Sequence, residues 1–273
     1  MKAVIHALAR RLLPDERYLS AVRAAKRVYY AGTSRLCPIC GGGFRRFLPG
    51  GLELPVFREK KIVGGGLEPE VVCPGCSSLN RERLLFLYLR DKTRIFDVST
   101  TLLHVAPEPG LSTILKDAKT IQYVSTDLHA ANVMLRSDLT VLPLGDGACD
   151  VVICCHVLEH VSDDLGSMRE IFRVLKPGGW AILQVPIALA QADTLEDSSI
   201  MAPEQREHIY GQRDHVRLYG RTYRDRLEAA GFRVELNRYA SQLDEGAVVK
   251  YGVLADEDIY VCHKDIEPAA TCA

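Results

Sequence analysis

The sequence lacks several features that mark whole classes of protein. No apolar run reaches the roughly 20 residues that a membrane-spanning helix needs. The opening MKAVIHALARRLLPDE has neither the long apolar region nor the small-residue cleavage site of a signal peptide. The sequence also has no excess of charge of one sign: 34 basic and 35 acidic residues give a net charge of −1. The overall charge therefore does not indicate nucleic acid or a membrane as a partner. We therefore expect a cytoplasmic protein whose nine cysteines are thiols or metal ligands.

Four of the cysteines are paired in the sequence, as Cys37-Pro-Ile-Cys40 and Cys73-Pro-Gly-Cys76. Two residues between ligands let both thiolates of a pair face one metal, and two such pairs supply the four sulfurs that structural zinc prefers. The separation, residues 41–72, exceeds the roughly 15–20 residues of compact zinc ribbons, which leaves room for a hairpin or insertion. The spacing predicts a structural zinc site. An iron–sulfur or redox role is the alternative.

The second half of the chain carries the most specific pattern, between Asp146 and Gly179. A buried strand, 149–155, runs into a loop that carries His156 and His160. A helix with apolar residues at helical spacing follows and stops at Lys-Pro-Gly-Gly, because proline and glycine cannot continue it. The next apolar run, 180–185, is another buried strand.

This strand–loop–helix–strand order, with V-L-E-H-V and R-V-L-K-P-G-G in place, resembles class I S-adenosylmethionine (SAM) dependent methyltransferases. The resemblance implies a SAM cofactor and an α/β, Rossmann-like doubly wound sheet with a final antiparallel pair. We expect three parts along the chain. Residues 1–35 form an amphipathic helical segment, either a lid or packing helix or a basic surface for phosphate, RNA or lipid. Residues 36–94 form a small zinc-ribbon-like module with a connecting helix, and residues 95–273 form the methyltransferase domain.

The loop after the first strand of that domain departs from the family. The usual pattern is an acid and then G-x-G-x-G, because a Cβ blocks the approach of the backbone to the cofactor. Here His104 replaces the acid, Ala106 and Glu108 replace two glycines, and Gly110 remains. This H-V-A-P-E variant resembles a subset of bacterial methyltransferases, and we expect Glu108 to meet the methionine ammonium of SAM. Alternatively, the loop is occluded and no longer admits the cofactor.

Other cofactor contacts follow from the resemblance. Asp127 ends the second strand, where the family places an acid on the ribose hydroxyls; it could instead cap the following turn. Asp138 and Leu139 resemble the segment that meets the adenine. His156 follows the fourth strand, at the edge where methyl transfer occurs.

Candidate catalytic and acceptor-binding residues are crowded between Glu204 and Tyr219. Removal of a proton from a hydroxyl or amine favours a histidine, so His156 and His215 are candidate bases, with Asp214 orienting the second. The predicted acceptor contacts are Arg206, His208, Arg217 and Tyr219. In the alternative, this segment is only an exposed charged helix and loop.

The sequence favours a small polar acceptor that bears a hydroxyl or amine, such as a sugar, nucleotide or metabolite. Two other functions stay open. One is an RNA methyltransferase that grips RNA through the zinc module, and the other is a non-catalytic binding protein with a degenerate SAM loop. The oligomeric state is not predicted.

Overall fold

The structure, a computed structural model, describes residues 15–266, so the prediction of a helix before Pro14 and the tail after Ile266 fall outside it. Helix α1 spans Asp15–Tyr29, and its described side chains, from residue 20, are exposed or only partly buried. Among the described helices, none is long and apolar enough to cross a bilayer. Residues 31–35, predicted as part of the helical segment, form together with Leu36 a strand that belongs to the cysteine module.

The cysteine module is a set of short strands around a small aromatic core. Its elements are β1 (Ala31–Leu36), β2 (Gly43–Phe44), β3 (Leu48–Gly50), α2 (Pro55–Glu59), β4 (Ile62–Val63) and β5 (Glu68–Val72). Strand β1 pairs with β2, and β3 pairs with β5. Phe44 and Phe47 are fully buried beside Cys37 and Cys73. The predicted insertion between the cysteine pairs is therefore a folded part of the module.

Helix α3 (Asn80–Lys92) leaves the module and joins it to the rest of the chain. Its Arg83 is fully buried and donates to the carbonyls of Val71 and Ser78 in the module and of Tyr251 and Gly252 near the C-terminus. Burial lowers the pKa of Arg83. Because the guanidinium satisfies carbonyls from both parts, it fixes the module against the larger domain.

The larger domain is built on a seven-stranded mixed sheet. Its strands are β6 (Thr100–Val105), β7 (Ile121–Asp127), β8 (Leu135–Arg136), β9 (Cys149–Cys155), β10 (Leu175–Gln184), β14 (Arg233–Asn237) and β15 (Ile259–His263). They lie in the order β14-β15-β10-β9-β6-β7-β8. Strands β6 to β10 pair in parallel, whereas β15 is antiparallel to both β10 and β14. The predicted Rossmann-like sheet and its antiparallel pair are confirmed.

Helices cover the sheet on both faces, because buried strands such as β9 have no polar face to leave in water. The helices after α3 are α4 (Pro109–Asp117), α5 (Asp164–Val174), α6 (Pro203–Tyr210), α7 (Tyr223–Ala229), α8 (Tyr239–Gln242) and α9 (Glu245–Tyr251). Helices α5 and α7 pack on one face of the sheet and α3, α4 and α8 on the other, whereas α6 packs against α2 of the cysteine module. Three two-residue strands, β11 (Ile187–Ala188), β12 (Leu195–Glu196) and β13 (Arg217–Leu218), lie between β10 and α7. The strand order reverses beside β6, so the carboxyl ends of β6, β7 and β9 form the expected ligand crevice.

Candidate functional site

The four cysteines of the two C-P-x-C pairs come together in the module. The Sγ atoms of Cys37 and Cys76 are 3.7 Å apart, and those of Cys40 and Cys73 are 3.8 Å apart. A tetrahedral zinc with bonds of about 2.3 Å holds sulfurs about 3.8 Å from each other. The sulfurs of all four residues lie within 4.8 Å of one another. The donor set and its spacing therefore fit a four-sulfur zinc site.

A cleft of about 680 Å³, here called the large cleft, opens at the carboxyl ends of β6, β7 and β9. Five residues predicted to bind the cofactor line it: Ala106, Asp127, Asp138, Leu139 and His156. The volume is in the range of small-molecule sites. The topology of the sheet therefore gathers these residues, which lie far apart in the sequence, into one crevice.

Two acids that line the large cleft, Asp127 and Asp138, each have one oxygen engaged locally. Asp127 Oδ1 accepts hydrogen bonds from the backbone N–H groups of His129 and Ala130, both at 2.7 Å. Asp138 Oδ1 accepts from Thr140, whose backbone N–H lowers the pKa of Asp138. Asp127 therefore has the capping role that was the alternative for it. Among residues 15–266, no group donates a hydrogen bond to the second oxygen of Asp127 or Asp138.

Two residues at strand ends have left-handed backbones: Ala106 with φ of 46° after β6, and His156 with φ of 56° after β9. Such angles are uncommon for residues other than glycine. Ala106 occupies the position of the family's first glycine, and the structure keeps the glycine conformation there without the glycine. The strand end thus turns as it does in the family, at a cost in backbone strain.

Replacing Ala106 with glycine is expected to raise the free energy of unfolding by up to about 1 kcal/mol, because a left-handed alanine costs about 1–2 kcal/mol and glycine returns part of this as chain entropy. Urea unfolding measures the change. The matched control is Ala229→Gly, near the end of helix α7, which should destabilise. A loss of stability in Ala106→Gly would contradict the strain.

A buried pair is formed by His104 and Glu108, which lie two residues before and two residues after Ala106. His104 is fully buried; its Nδ1 lies 3.1 Å from the Tyr123 hydroxyl and its Nε2 lies 3.0 Å from Glu108 Oε2. Burial acts to raise the pKa of Glu108, but the hydrogen bond and charge of His104 leave it below the usual value. Neither side chain is among those lining the large cleft; Glu108 faces a small neighbouring cavity beside Arg81 and Glu257.

Gly110, the one family glycine retained, packs against the cysteine module. A Cβ at this position would lie 2.9 Å from Glu82 Oε2, 3.2 Å from Ile39 and 3.2 Å from Ser78. Burial raises the pKa of Glu82. The predicted role of Gly110 was approach to the cofactor, whereas the structure shows that it admits the module to the start of α4.

A second cleft, of about 470 Å³, lies between the cysteine module and the larger domain. We call it the glycine-lined cleft, because Gly50, Gly51 and Gly64–Gly66 form one wall. Polar side chains on other walls are Glu68, Asn80, Arg81, Gln212 and Asp256. Strand β4 holds this wall in place, because it pairs with β11, the short strand that follows β10 in the chain. The insertion between the cysteine pairs therefore shapes a site at the edge of the catalytic sheet.

His156 stands between the two clefts. It lines the large cleft, and its ring lies against Gly64 of the other, with Cε1 3.2 Å from the place of a Cβ on Gly64. Its Nδ1 lies 3.3 Å from Oε1 of the buried Glu159. Burial acts to raise the pKa of Glu159, but His156, His215 and His160 together lower it below the usual value. Glu159 is therefore a carboxylate that can orient the His156 ring.

The segment between Glu204 and Tyr219 mainly stabilises the loop after β9, and most of its predicted site residues do not line a cleft. Arg217 and Tyr219 are buried: Arg217 donates to the carbonyls of Leu158 and Ser162, and the Tyr219 hydroxyl donates to Asp164. Both side chains therefore stabilise the loop after β9 and the start of α5, instead of making the predicted contact with an acceptor. Burial raises the pKa of Tyr219 far above its usual value, and the hydroxyl is a donor only.

The other predicted acceptor and catalytic residues of this segment are spread out. His208 is exposed, and Arg206 donates to the carbonyl of Ile200. Asp214 does not pair with His215; its carboxylate lies 3.2 Å from Nδ1 of His160, while Nδ1 of His215 faces the carbonyl of Tyr210. Burial lowers the pKa of His215. Only Asp214 of these four lines the large cleft.

Sequence reasoning missed three residues that the fold brings to the site. They are Gly64, which lies against the ring of His156, and Arg81 and Glu257, which line the small cavity that Glu108 faces. The Nε of Arg81 is buried and has no hydrogen-bond partner in the described part of the chain. Burial raises the pKa of Glu257. The repeated glycines between the cysteine pairs were the signal that could have indicated a close approach.

Comparison with known proteins gives the domain a family. Residues 99–183 match the family model described as a methyltransferase domain. A protein of Mycobacterium sp. (strain KMS), named an uncharacterized methyltransferase, is 31% identical over 100 residues, which cover 33% of this chain and 40% of that protein. A protein of Mycolicibacterium smegmatis (strain ATCC 700084 / mc(2)155), described as a probable S-adenosylmethionine-dependent methyltransferase, is 34% identical over 70 residues, 26% of this chain and 27% of that one.

Among solved structures, the [4+2]-cyclase SpnF has a TM-score of 0.48 and 19% identity, covering 68% of this chain and 82% of that one. The chain spans about 40% of the length of the curated relatives that it matches first. The matched segment runs from β6 through β10 and holds the large cleft at its strand ends. Residues 99–183 of this chain thus match a methyltransferase domain, and the curated relatives over this segment are named methyltransferases.

Proposed function

We propose that the protein transfers a methyl group from SAM in the large cleft to a hydroxyl or amine of a small polar acceptor in the glycine-lined cleft. The observation that carries this proposal is the position of His156, which lines the first cleft and touches the wall of the second. A base at that junction can reach the acceptor group that meets the cofactor.

The large cleft suits SAM through its own residues. Asp127 and Asp138 offer carboxylate oxygens toward the ribose hydroxyls and the adenine amine, and buried Leu139 offers an apolar surface. The left-handed turn at Ala106 brings backbone, with only a methyl group, to the edge of the cleft. These features support cofactor binding despite the altered glycine loop.

When bound, SAM would supply an electrophilic methyl group on a sulfonium. The acceptor would attack this carbon in line, and the sulfur would leave as the thioether of S-adenosylhomocysteine. The ring of His156 accepts the proton that the acceptor loses, at the nitrogen facing away from Glu159. Glu159 orients the ring through Nδ1 and stabilises the charge that the ring acquires. The role of Glu159 is thus positioning, because it contacts the base and not the acceptor.

The glycine-lined cleft supports a small polar acceptor. Its walls mix backbone from five glycines with one cation, Arg81, and the acids Glu68 and Asp256. These groups hydrogen-bond hydroxyls and amines, and the volume of about 470 Å³ admits a molecule the size of a sugar or nucleotide.

We further propose that the four cysteines hold a structural zinc ion. All four positions of a tetrahedral ion would be filled by thiolates, so the ion would take no part in methyl transfer. Its role would be to fix the wall that Gly64 presents to His156 and the surface that meets Gly110. The remaining described cysteines are free thiols, which fits a reducing cytoplasmic location.

Replacing Glu108 with glutamine is expected to weaken binding of S-adenosylhomocysteine, the demethylated product, by about tenfold or more, because a charge-assisted hydrogen bond is worth about 1.5–3 kcal/mol. We place the carboxylate near the methionine ammonium because Glu108 follows Ala106 of the large cleft by two residues and faces a small cavity that shares Arg81 with the glycine-lined cleft. Calorimetric titration measures the affinity. Glu68→Gln, on the far wall of the glycine-lined cleft, is the matched control, and unchanged affinity in Glu108→Gln would remove this contact.

The proposed function is tested first by calorimetric titration of the zinc-loaded protein with S-adenosylhomocysteine. One-to-one binding at micromolar concentration is expected, followed by methyl transfer to members of a panel of hydroxyl and amine acceptors. No heat and no thermal stabilisation at millimolar ligand would contradict the enzyme and favour a binding protein with a degenerate loop.

An RNA acceptor is the second candidate, favoured by one surface. Lys26 and Arg27 in the last turn of α1 and Arg45 and Arg46 after β2 are exposed, and Arg45 stacks on the ring of Tyr29. Cations with aromatic rings are typical of surfaces that hold single-stranded RNA. RNA affinity that falls steeply with salt, and falls again in Arg45→Ala/Arg46→Ala, would support this candidate over a small acceptor.

A further inference from the structure

A buried group of one carboxylate and two imidazoles lies behind the wall of the large cleft. Glu159, His160 and His215 each offer one metal-ligand atom, and these atoms all lie within 4.8 Å of one another. Glu159 is 1% exposed and His215 is 2% exposed. Oε2 of Glu159 and Nε2 of His215 have no hydrogen-bond partner among residues 15–266, and Oε1 of Glu159 faces Nδ1 of His156 at 3.3 Å. Buried polar atoms are normally paired, so two unpaired atoms side by side indicate a missing ligand.

The other nitrogen of each imidazole is already engaged with an acceptor. Nδ1 of His215 lies 3.2 Å from the carbonyl oxygen of Tyr210, and Nδ1 of His160 lies 3.2 Å from Oδ2 of Asp214. A carbonyl and a carboxylate can only accept, so Nδ1 carries the proton in both rings and Nε2 keeps a free lone pair. Metal-binding histidines have this arrangement, with the non-ligating N–H donated to a carbonyl or carboxylate.

We propose that Nε2 of His160, Nε2 of His215 and the carboxylate of Glu159 bind a divalent first-row metal ion, with zinc as the best match. Two imidazoles and one carboxylate are a known zinc donor set that leaves a fourth position open. The ion also neutralises the buried Glu159 carboxylate, whose Oε1 still faces His156. The site is separate from the four cysteines, since it lies between the loop after β9 and the segment before β13.

The site would stand at the wall of the large cleft, because His160 and Asp214 line that cleft while Glu159 and His215 lie behind it. Its open position would therefore take an oxygen or nitrogen donor from a molecule in the cleft, or water. The ion would also join the loop after β9 to the segment before β13, which are already linked by the hydrogen bond from the N–H of Val216 to the carbonyl of Glu159.

The test is a metal titration of the full chain with the cysteine site filled. After dialysis against a weak chelator, elemental analysis gives the metal held by the cysteines, and calorimetry with Zn²⁺ is expected to show one further equivalent. His160→Gln and His215→Gln should lose that equivalent, and Asp214→Asn should bind it about 10–100-fold more weakly, because it removes the carboxylate that orients His160. His208→Gln, an exposed histidine outside the cluster, is the control and should titrate like the wild type.

Cobalt identifies the ligands independently of activity. A Co²⁺ ion added after the cysteine site is filled with zinc should bind without thiolate-to-metal charge-transfer absorption, because its ligands are nitrogen and oxygen. The proposal is overturned if the wild type takes up no further equivalent, if His160→Gln and His215→Gln retain it, or if thiolate absorption accompanies it.

Discussion

Replacing His156 with asparagine is expected to slow methyl transfer by about 100-fold or more while leaving the affinity for S-adenosylhomocysteine nearly unchanged, because general-base catalysis contributes about 10²–10⁴-fold. Asparagine is the variant of choice because it tolerates the left-handed backbone at this position, where φ is 56°. Single-turnover rates and a calorimetric titration separate the two effects.

Two control variants give this result its meaning. His208→Asn, exposed and outside both clefts, should leave rate and affinity unchanged. Glu159→Gln should reduce the rate less than His156→Asn, and it should change the pH profile of the remaining activity, because the carboxylate acts on the base and not on the acceptor. Equal rates for the wild type and His156→Asn would remove His156 from the mechanism, and equal losses of affinity and rate would show that it only shapes the cleft.

Replacing Cys73 with serine is expected to abolish metal binding by the cysteine module and to lower the melting temperature by roughly 10 °C or more. Binding of structural zinc stabilises small modules by several kcal/mol, and each kcal/mol shifts the melting temperature by about 2–4 °C in a domain of this size. Differential scanning calorimetry and elemental analysis measure the two effects. Chelation of the wild type at high temperature should reproduce the loss.

The same substitution should weaken cofactor binding, because the module lies against the start of α4. Ile39 and Ser78 lie 3.2 Å from where a Cβ on Gly110 would be, so disorder in the module frees the loop that carries Glu108. Cys262→Ala is the control: this cysteine is also fully buried, but in β15 and outside the cluster. It should keep the zinc ion of the cysteine module. Retention of zinc and stability by Cys73→Ser would refute the metal site.

The sheet could be predicted from the sequence because its strands are local patterns. The strand predicted at 149–155 has those bounds in the structure, and the predicted antiparallel pair is formed by β14 and β15. Buried parallel strands are short apolar runs bounded by turn residues, and such runs can be recognised locally in a sequence. The alignment of His104, Ala106 and Gly110 was likewise readable, since it depends only on distance from the end of β6.

The functions of polar residues could not be read in the same way. Arg217 and Tyr219 resemble acceptor contacts in a sequence, but whether a guanidinium faces a ligand or three backbone carbonyls depends on which loop packs above it. Asp214 and His215 are neighbours in the chain and point to different partners, since Asp214 meets His160 and His215 meets Tyr210. Adjacent residues in an irregular segment have no fixed relative direction, so their pairing is set by tertiary contacts.

The sequence by itself determined the doubly wound sheet, the two cysteine pairs and the crevice residues that end strands, because apolar periodicity and ligand spacing are properties of short segments. Only the tertiary structure decided that the glycines between the cysteine pairs form the wall beside His156, and that Gly110 serves the cysteine module. Gly64 and His156 are 92 positions apart in the chain, and Gly110 and Ile39 are 71 positions apart. Such contacts form because the pairing of β4 with β11 and the hydrogen bonds of Arg83 to carbonyls of both parts hold the cysteine module against the larger domain.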